Sequence, residues 1–373
     1  MKKLKLFVLF SLLTATFSFG QKTAQDYYNS GNAKSNLQDY RGAIVDYNKA
    51  IELTPDYAGA YYNRGIAKKK LQDYRGAIAD YTKAIELKPD YVNAYNNRGS
   101  AKAELQDYRG AIADCNKAIE LKPDYANAYY NRGIAKANLQ DYRGATADYN
   151  KAIELTPDDA NAYYNRGIAK YNLQDYRGAI ADYNKAIELK PDYANAYNNR
   201  GLAKAELQDY RGAIADYNKA IELKPDDIVA YYNRGSAKYN LQDYRGAIAD
   251  YNKAIELTPD DANAYYNRGI AKYNLQDYRG AIADYTKAIE LKPDFVDAYN
   301  NRGLAKANLQ DYRGAIADYN KAIELTPDYA NAYYNRGSAK AALKDLDGAC
   351  LDWSKAGELG DSGAYDLIKK YCK

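Results

Sequence analysis

The sequence predicts an all-α protein: a solenoid of ten helical hairpins followed by a short C-terminal capping helix. Three observations predict it. All nine prolines, from Pro55 and Pro89 through to Pro327, recur every 34 residues. Glycine is held to two places in each repeat, typified by Gly65 and Gly76. Each repeat also contains two apolar patterns of helical period, separated by a Leu-Gln-Asp-Tyr stretch. A period of this length overrides any domain count taken from chain length, because such hairpins bury their apolar faces only against their neighbours.

Counting from Ala24, the units run 24–57, 58–91, 92–125, 126–159, 160–193, 194–227, 228–261, 262–295, 296–329 and 330–363. A lead-in at 21–23 precedes them, and a capping segment at 364–373 follows. In the unit 58–91, Asp73 is placed to cap the second helix, and Pro89 drives Lys88 out of helical geometry. Asp90 is expected to cap the helix after that. Thr23 and Asp26 have the spacing of a capping box for the first helix of the array. Tyr74, Ala77, Ile78, Tyr81, Ala84, Ile85 and Leu87 form one stripe on the second helix, the expected core face. Gly65, Ala77 and Ala84 stand where backbones should cross closely, and overpacking there costs roughly 1–3 kcal/mol.

In this unit Tyr61, Arg64, Gly65, Lys68, Ala77, Tyr81, Ala84 and Pro89 occupy the places of a known pattern: Trp-x2-Leu-Gly-x2-Tyr, then Ala-x3-Phe, then Pro. Over 24–363 the sequence therefore resembles the tetratricopeptide repeat (TPR) family. The resemblance implies a right-handed α-α superhelix whose stacked first helices line a concave groove for an extended peptide or a partner helix. The expected partner is thus another protein. Two places depart from the pattern, with Arg64 where leucine belongs and Lys68 where tyrosine belongs.

At 100° per residue, Tyr61, Arg64, Gly65, Lys68 and Leu71 share the inner side of the first helix. Unpaired charges there would cost several kcal/mol, and a guanidinium is best matched by a carboxylate. The candidate is the aspartate that recurs in all ten units, from Asp46 and Asp80 to Asp352, whereas the arginine occurs in nine and Ser30 replaces it in the first unit. That difference predicts pairing between units, Arg64 with Asp46 and Arg98 with Asp80; pairing within a unit is the competing arrangement. Lys370 would serve Asp352 if the count continued through the tail.

The opposite side of the first helices carries an asparagine in every unit, among them Asn63, Asn97, Asn131, Asn165, Asn199, Asn233, Asn267 and Asn301. An amide suits the main chain of an extended peptide, and the row resembles the peptide-gripping asparagine ladder known within the family. The alternative is that each amide caps or bonds within its own unit. Beside it lie Tyr62, Tyr130, Tyr164, Tyr232 and Tyr266, with asparagine in every third unit. A regular ligand or copying of a three-unit block would each give that period. Units 160–193 and 262–295 differ only at Asn184 against Thr286 and Tyr193 against Phe295, which favours copying.

Histidine is absent. This removes serine–histidine triads, imidazole acid–base chemistry and the usual zinc sites, and no phosphate-binding glycine loop is present. The reading is a non-enzymatic scaffold without cofactor or metal. A self-associating structural protein and a glycan-binding module are the alternatives.

The first twenty residues combine three lysines, an apolar run from Leu6 to Leu13 and small residues near Gly20, the pattern of an export signal cleaved after Gly20. Ser11, Thr14, Thr16 and Ser18 interrupt it too often for a membrane anchor. Without Lys2, Lys3 and Lys5 the formal charge falls from +4 by three to +1, too little to attract nucleic acid. The expected location is the periplasm or the exterior, with the mature chain a monomer. There Cys350 and Cys372 either form a disulfide, worth roughly 3 kcal/mol for a loop of about 20 residues, or pack reduced. Cys115 replaces a core tyrosine.

Overall fold

The structure, a computed structural model, describes residues 22–372. The export signal read at 1–20 lies outside the described residues. Among them are 21 α-helices and no strand, and none of these helices is long and apolar enough to cross a membrane. The described residues form two compact bodies, divided between Pro157 and Asp158. Each is a stack of helical hairpins, and in the second a final helix closes the stack.

One unit shows how the sequence makes the hairpin. The helix Ala58–Lys70 stops where Gln72 adopts a left-handed conformation, φ 62°. The N–H of Gln72 donates to the Lys69 carbonyl, and that of Asp73 to the Lys68 carbonyl, both at 2.9 Å. These are the two bonds of a Schellman turn. The Asp73 carboxylate then accepts from the Gly76 N–H at 2.9 Å, so one residue closes the first helix and caps the second, Tyr74–Leu87. A Cβ on Gly76 would lie 2.1 Å from Asp73 Oδ2, which fixes glycine there. Lys88 ends the hairpin in an extended conformation at φ −137°, as the following proline requires.

The entry to the next unit differs from the sequence reading. Asp90 does not cap it: the N-cap is Tyr91, which makes no side-chain bond to the helix. The aspartate after the proline sits one residue too early. Where aspartate also occupies the following place, at Asp159, Asp227 and Asp261, its carboxylate does accept from the helix. At the start of the array, Thr23 and Asp26 form the reciprocal capping box.

The core is a series of small clusters. Ala77 and Tyr81 pack with Ala101 of the next unit, and Ala179 and Tyr183 with Ala203 in the second body. The tyrosine ring lies against glycine on its own first helix, so a Cβ added to Gly65 would come within 2.7 Å of Tyr81 Cε1. Burial disfavours the charged phenolate and pushes the hydroxyls of Tyr47 and Tyr251 up to about 12. It does the same to the Cys115 thiol, also to about 12, leaving it an inert core group.

Trp353 takes the tyrosine place in the last unit. The closing helix is Ser362–Tyr371, capped by Asp361, and its Ala364, Leu367 and Ile368 pack with Trp353 and Ala356. Cys350 and Cys372 are joined as a disulfide, with Cα atoms 5.7 Å apart. Lys370 does not reach Asp352. Its ammonium lies over the Tyr371 ring at 4.9 Å, while Arg336 and Lys340 hold Asp352 from its own unit.

Candidate binding face

The inward charges form a three-residue cluster within each hairpin. Arg64 donates from Nε to Asp80 Oδ2 at 2.9 Å and from Nη2 to Oδ1 at 2.5 Å, and Lys68 Nζ lies 2.8 Å from the same carboxylate. The expected pairs of Arg64 with Asp46 and Arg98 with Asp80 are therefore overturned. Arg98 holds Asp114, and Asp46 is met by Lys34 and the Ser30 hydroxyl, each at 2.7 Å.

The reason is geometric. Arginine and lysine stand four residues apart on one helix face, and both converge across their own hairpin on a carboxylate that is only 3% exposed. The arginine still reaches the preceding unit, but through a neutral bond: Arg64 Nη1 donates to Asn48 at 2.7 Å, and Arg98 Nη1 to Thr82 at 3.1 Å. That is the contact the first unit, having no predecessor, does not need. Each guanidinium also stacks on a tyrosine, as Arg64 does on Tyr61 at 5.3 Å. The same cluster recurs in the second body as Arg200, Lys204 and Asp216. These charges are internal framework.

The asparagine row stands half-buried on the first-helix face, Asn165 included. The alternative reading, a bond within its own unit, holds in part: Asn97, Asn199 and Asn301 each accept from the preceding asparagine of their own helix at 3.3–3.4 Å, while their donor bonds go elsewhere. In the first body, Asn63 donates to Tyr28 and Asn32, Asn97 to Tyr62, and Asn131 to Asn96, at 2.8–3.0 Å. In the second, Asn199 donates to Tyr164, Asn233 to Asn198, Asn267 to Tyr232 and Asn301 to Tyr266. Every one of these acceptors belongs to the preceding unit. An amide has two N–H donors and an oxygen with two lone pairs, more than these bonds use at Asn97, Asn131, Asn199, Asn233, Asn267 and Asn301.

The neighbouring tyrosines are less free than the sequence suggested. Tyr62 packs on Tyr81 and Tyr91, with ring centroids 5.9 and 4.7 Å away, and Tyr164 on Tyr183 and Tyr193 at 6.0 and 4.7 Å. Tyr130 lies 6.0 Å from Tyr149, Tyr232 lies 5.8 Å from Tyr251, and Tyr266 rests on Tyr285 and Phe295. Where asparagine replaces them, at Asn96, Asn198 and Asn300, the residue is buried. This column is therefore a seam between units, and it positions the amide row beside it. Only pattern reading across two adjacent units could have found the seam, because each of its bonds joins residues 35 apart.

No curated protein matches this sequence. Among solved structures, a tetratricopeptide repeat protein from Parabacteroides merdae ATCC 43184 shares 22% identity at a TM-score of 0.51, covering 66% of this chain and 99% of that one. YrrB, described as a TPR protein with an unusual peptide-binding site, is 27% identical at a TM-score of 0.45, over 49% of this chain and 95% of its own. MamA is 28% identical at 0.42, over 44% and 96%. The tetratricopeptide repeat model matches 58–91, 92–125 and 262–295, and the TPR repeat model matches 31–72, 137–174, 170–208, 204–242, 235–276 and 307–344. Together they cover more than half of the sequence, and the chain belongs to the tetratricopeptide repeat family, a scaffold fold typical of contacts between proteins.

Proposed function

We propose that this protein is a non-enzymatic scaffold that binds an extended segment of another protein along its first-helix face. The amide row carries the reading. The amides of Asn97, Asn131, Asn199, Asn233, Asn267 and Asn301 are oriented by the unit before them, and an amide has more donor and acceptor positions than those bonds use, of the kind a peptide main chain can engage regardless of side chains. The printed description of YrrB as a peptide-binding TPR protein supports the same mode. We also propose that the chain works outside the cytoplasm. The export pattern at 1–20 supports this, as does the Cys350–Cys372 bond, which is of a kind that persists in oxidising compartments.

The test is selection from a display library of extended peptides, followed by titration of the best binder. Replacing Asn199, Asn233 and Asn267 by alanine should weaken binding at least tenfold while leaving helicity unchanged. Equal affinity in the triple variant would remove the amide row from the function.

A further inference from the structure

Two sockets open on the first-helix face of the second body. One is lined by Ile168, Tyr171, Tyr183, Asn199 and Leu202 and has a volume of about 150 Å³. The other is lined by Ile270, Tyr273, Tyr285, Asn301 and Leu304 and has a volume of about 160 Å³. The two linings agree in residue type, three units apart.

Both are built on fixed parts. The floor is a core tyrosine, Tyr183 or Tyr285, each 1% exposed. One wall is Tyr171 or Tyr273, set edge to face against Tyr176 or Tyr278 with centroids 5.3 Å apart. The next unit pins the tip of that wall: Tyr171 donates to Glu206 at 3.1 Å, and Tyr273 accepts from Asn308 at 3.0 Å. Leucine forms the far wall. Of the two places between the sockets, one lacks the tyrosine wall, and the other has it, Tyr239 on Tyr244 at 5.3 Å, but carries serine instead of isoleucine beside its core tyrosine. Ala205 cannot form a wall, and Ser236 Oγ lies 3.2 Å from the Tyr251 hydroxyl and occupies it.

Size, polarity and charge then define the guest. An apolar cavity of about 150 Å³ takes one benzene-sized ring. Tyr47 and Tyr251 find a polar partner on their own first helix, Asn32 or Ser236, but Tyr183 and Tyr285 meet Ile168 and Ile270 there. The Tyr183 hydroxyl is hydrogen-bonded to the socket's own Asn199, and hydroxyl and amide together place polar atoms at the end of an otherwise apolar cavity, which suits a guest with a polar tip. The wall places of this body hold Tyr171, Ala205, Tyr239, Tyr273 and Ala307, with no lysine or arginine, and Glu206 stands beside one socket. That charge pattern matches a neutral or basic segment and disfavours an acidic one.

We infer that the sockets are twin anchor sites, each taking the phenol ring of one tyrosine from a single extended peptide lying along the second body. This rests on the proposed peptide binding and adds its side-chain chemistry. Two probes test it: p-cresol, which is the tyrosine side chain alone, and labelled Gly/Ser peptides carrying two tyrosines at varied separation. p-Cresol should shift the methyl resonances of both Leu202 and Leu304. At one favoured separation, the two-tyrosine peptide should bind at least tenfold more tightly than its one-tyrosine counterpart. Phenylalanine in place of tyrosine should cost about threefold to tenfold.

Leu202→Phe and Leu304→Phe, which fill the sockets, should each remove one anchor. Leu202→Ala and Leu304→Ala, which widen them, should weaken p-cresol binding if the filled variants fail to fold. Absence of p-cresol shifts at both leucines would overturn the inference, as would unchanged peptide affinity in the filled double variant. If the asparagine variants still lose peptide in that case, the sockets fail and the groove stands. If neither set matters, both readings fail.

Discussion

The same place is put to opposite use in two units, one from each body. In the second body, Ile168, Tyr171, Tyr183, Asn199 and Leu202 enclose an open socket. In the unit 58–91 of the first, the corresponding residues are Ile66, Lys69, Tyr81, Asn97 and Ser100, and the Lys69 ammonium donates to Ser100 Oγ at 2.7 Å, whereas in the unit 24–57 Asn32, Ser35, Tyr47, Asn63 and Ile66 line a more polar open cavity of about 420 Å³. Lysine and serine thus bridge where tyrosine and leucine stand apart. Burial lowers the pKa of Lys69, with nearby Glu104 opposing it, and the Tyr81 hydroxyl beneath is left without a partner. Two of the five residues change the surface from closed and cationic to open and apolar. The other three belong to a frame that does not change.

If the frame is shared, breaking it should cost the same in both bodies. Asp80→Ala would leave Arg64 and Lys68 as half-buried cations with no carboxylate, and Asp216→Ala would do the same to Arg200 and Lys204. Removing one partner of a buried pair costs about 3–5 kcal/mol. Hydrogen-exchange protection, measured unit by unit, should fall equally around either substitution, since stability in such arrays is local and nearest-neighbour. A cost confined to one body would show that the two frames are not equivalent.

A smaller effect of the same kind is expected at the glycines under the core tyrosines. Gly65→Ala and Gly167→Ala place a Cβ at 2.7 and 2.6 Å from Cε1 of Tyr81 and Tyr183. Each should cost about 1–3 kcal/mol by overpacking, read from the same exchange profile. Gly167 should be the milder of the two, because the socket gives Tyr183 room to shift and Lys69 denies it to Tyr81. This inequality is the one place where the open and closed surfaces should leave a mark on the core.

How much of this was legible in the sequence follows from what each feature depends on. Helix order, the small crossing residues and the Asp73 cap rest on spacing within one unit, and the repeat displays them ten times. The sequence turns Arg64 inward toward a carboxylate, and the structure supplies Asp80 where the arginine count points to Asp46. Counting arginines registered the neutral bond to Asn48, which requires a preceding unit, and not the ion pair, which does not. A helical wheel puts Tyr62 and Asn63 on an open face because it contains neither the rings of Tyr81 and Tyr91 that Tyr62 packs on nor the preceding unit that Asn63 is bonded to. The sockets escaped for a similar reason: they arise from a combination of places on two successive helices, and no single place is unusual.

Exchanging the variable pair should move the surface from one body to the other. Lys69→Tyr with Ser100→Leu should open a socket in the first body, and Tyr171→Lys with Leu202→Ser should close one in the second. p-Cresol shifts should appear at the new leucine methyls of residue 100 and vanish at the Ile168 methyls, which line the closed socket. The stability of either exchanged protein should change by less than about 1 kcal/mol, since half-exposed residues outside the frame are involved. Failure of the first body to gain a site would mean that some further residue shapes the socket.

The smallest effect concerns the turn that both surfaces share. Gln72 and Gln174 each hold φ 62° in the Schellman turn between the helices, a region disfavoured for any residue with a Cβ by about 1–2 kcal/mol. Glycine would remove that cost but lose about 0.5–1 kcal/mol through the greater freedom of the unfolded chain. The net gain for Gln72→Gly or Gln174→Gly should therefore be about 0.5–1 kcal/mol, and equal in the two bodies. Slower exchange of the Asp73 and Asp175 amides, which close the turn onto the Lys68 and Lys170 carbonyls at 2.9 Å, would register it. A loss of stability instead would mean that the glutamine side chain contributes more in the folded state than its backbone conformation costs.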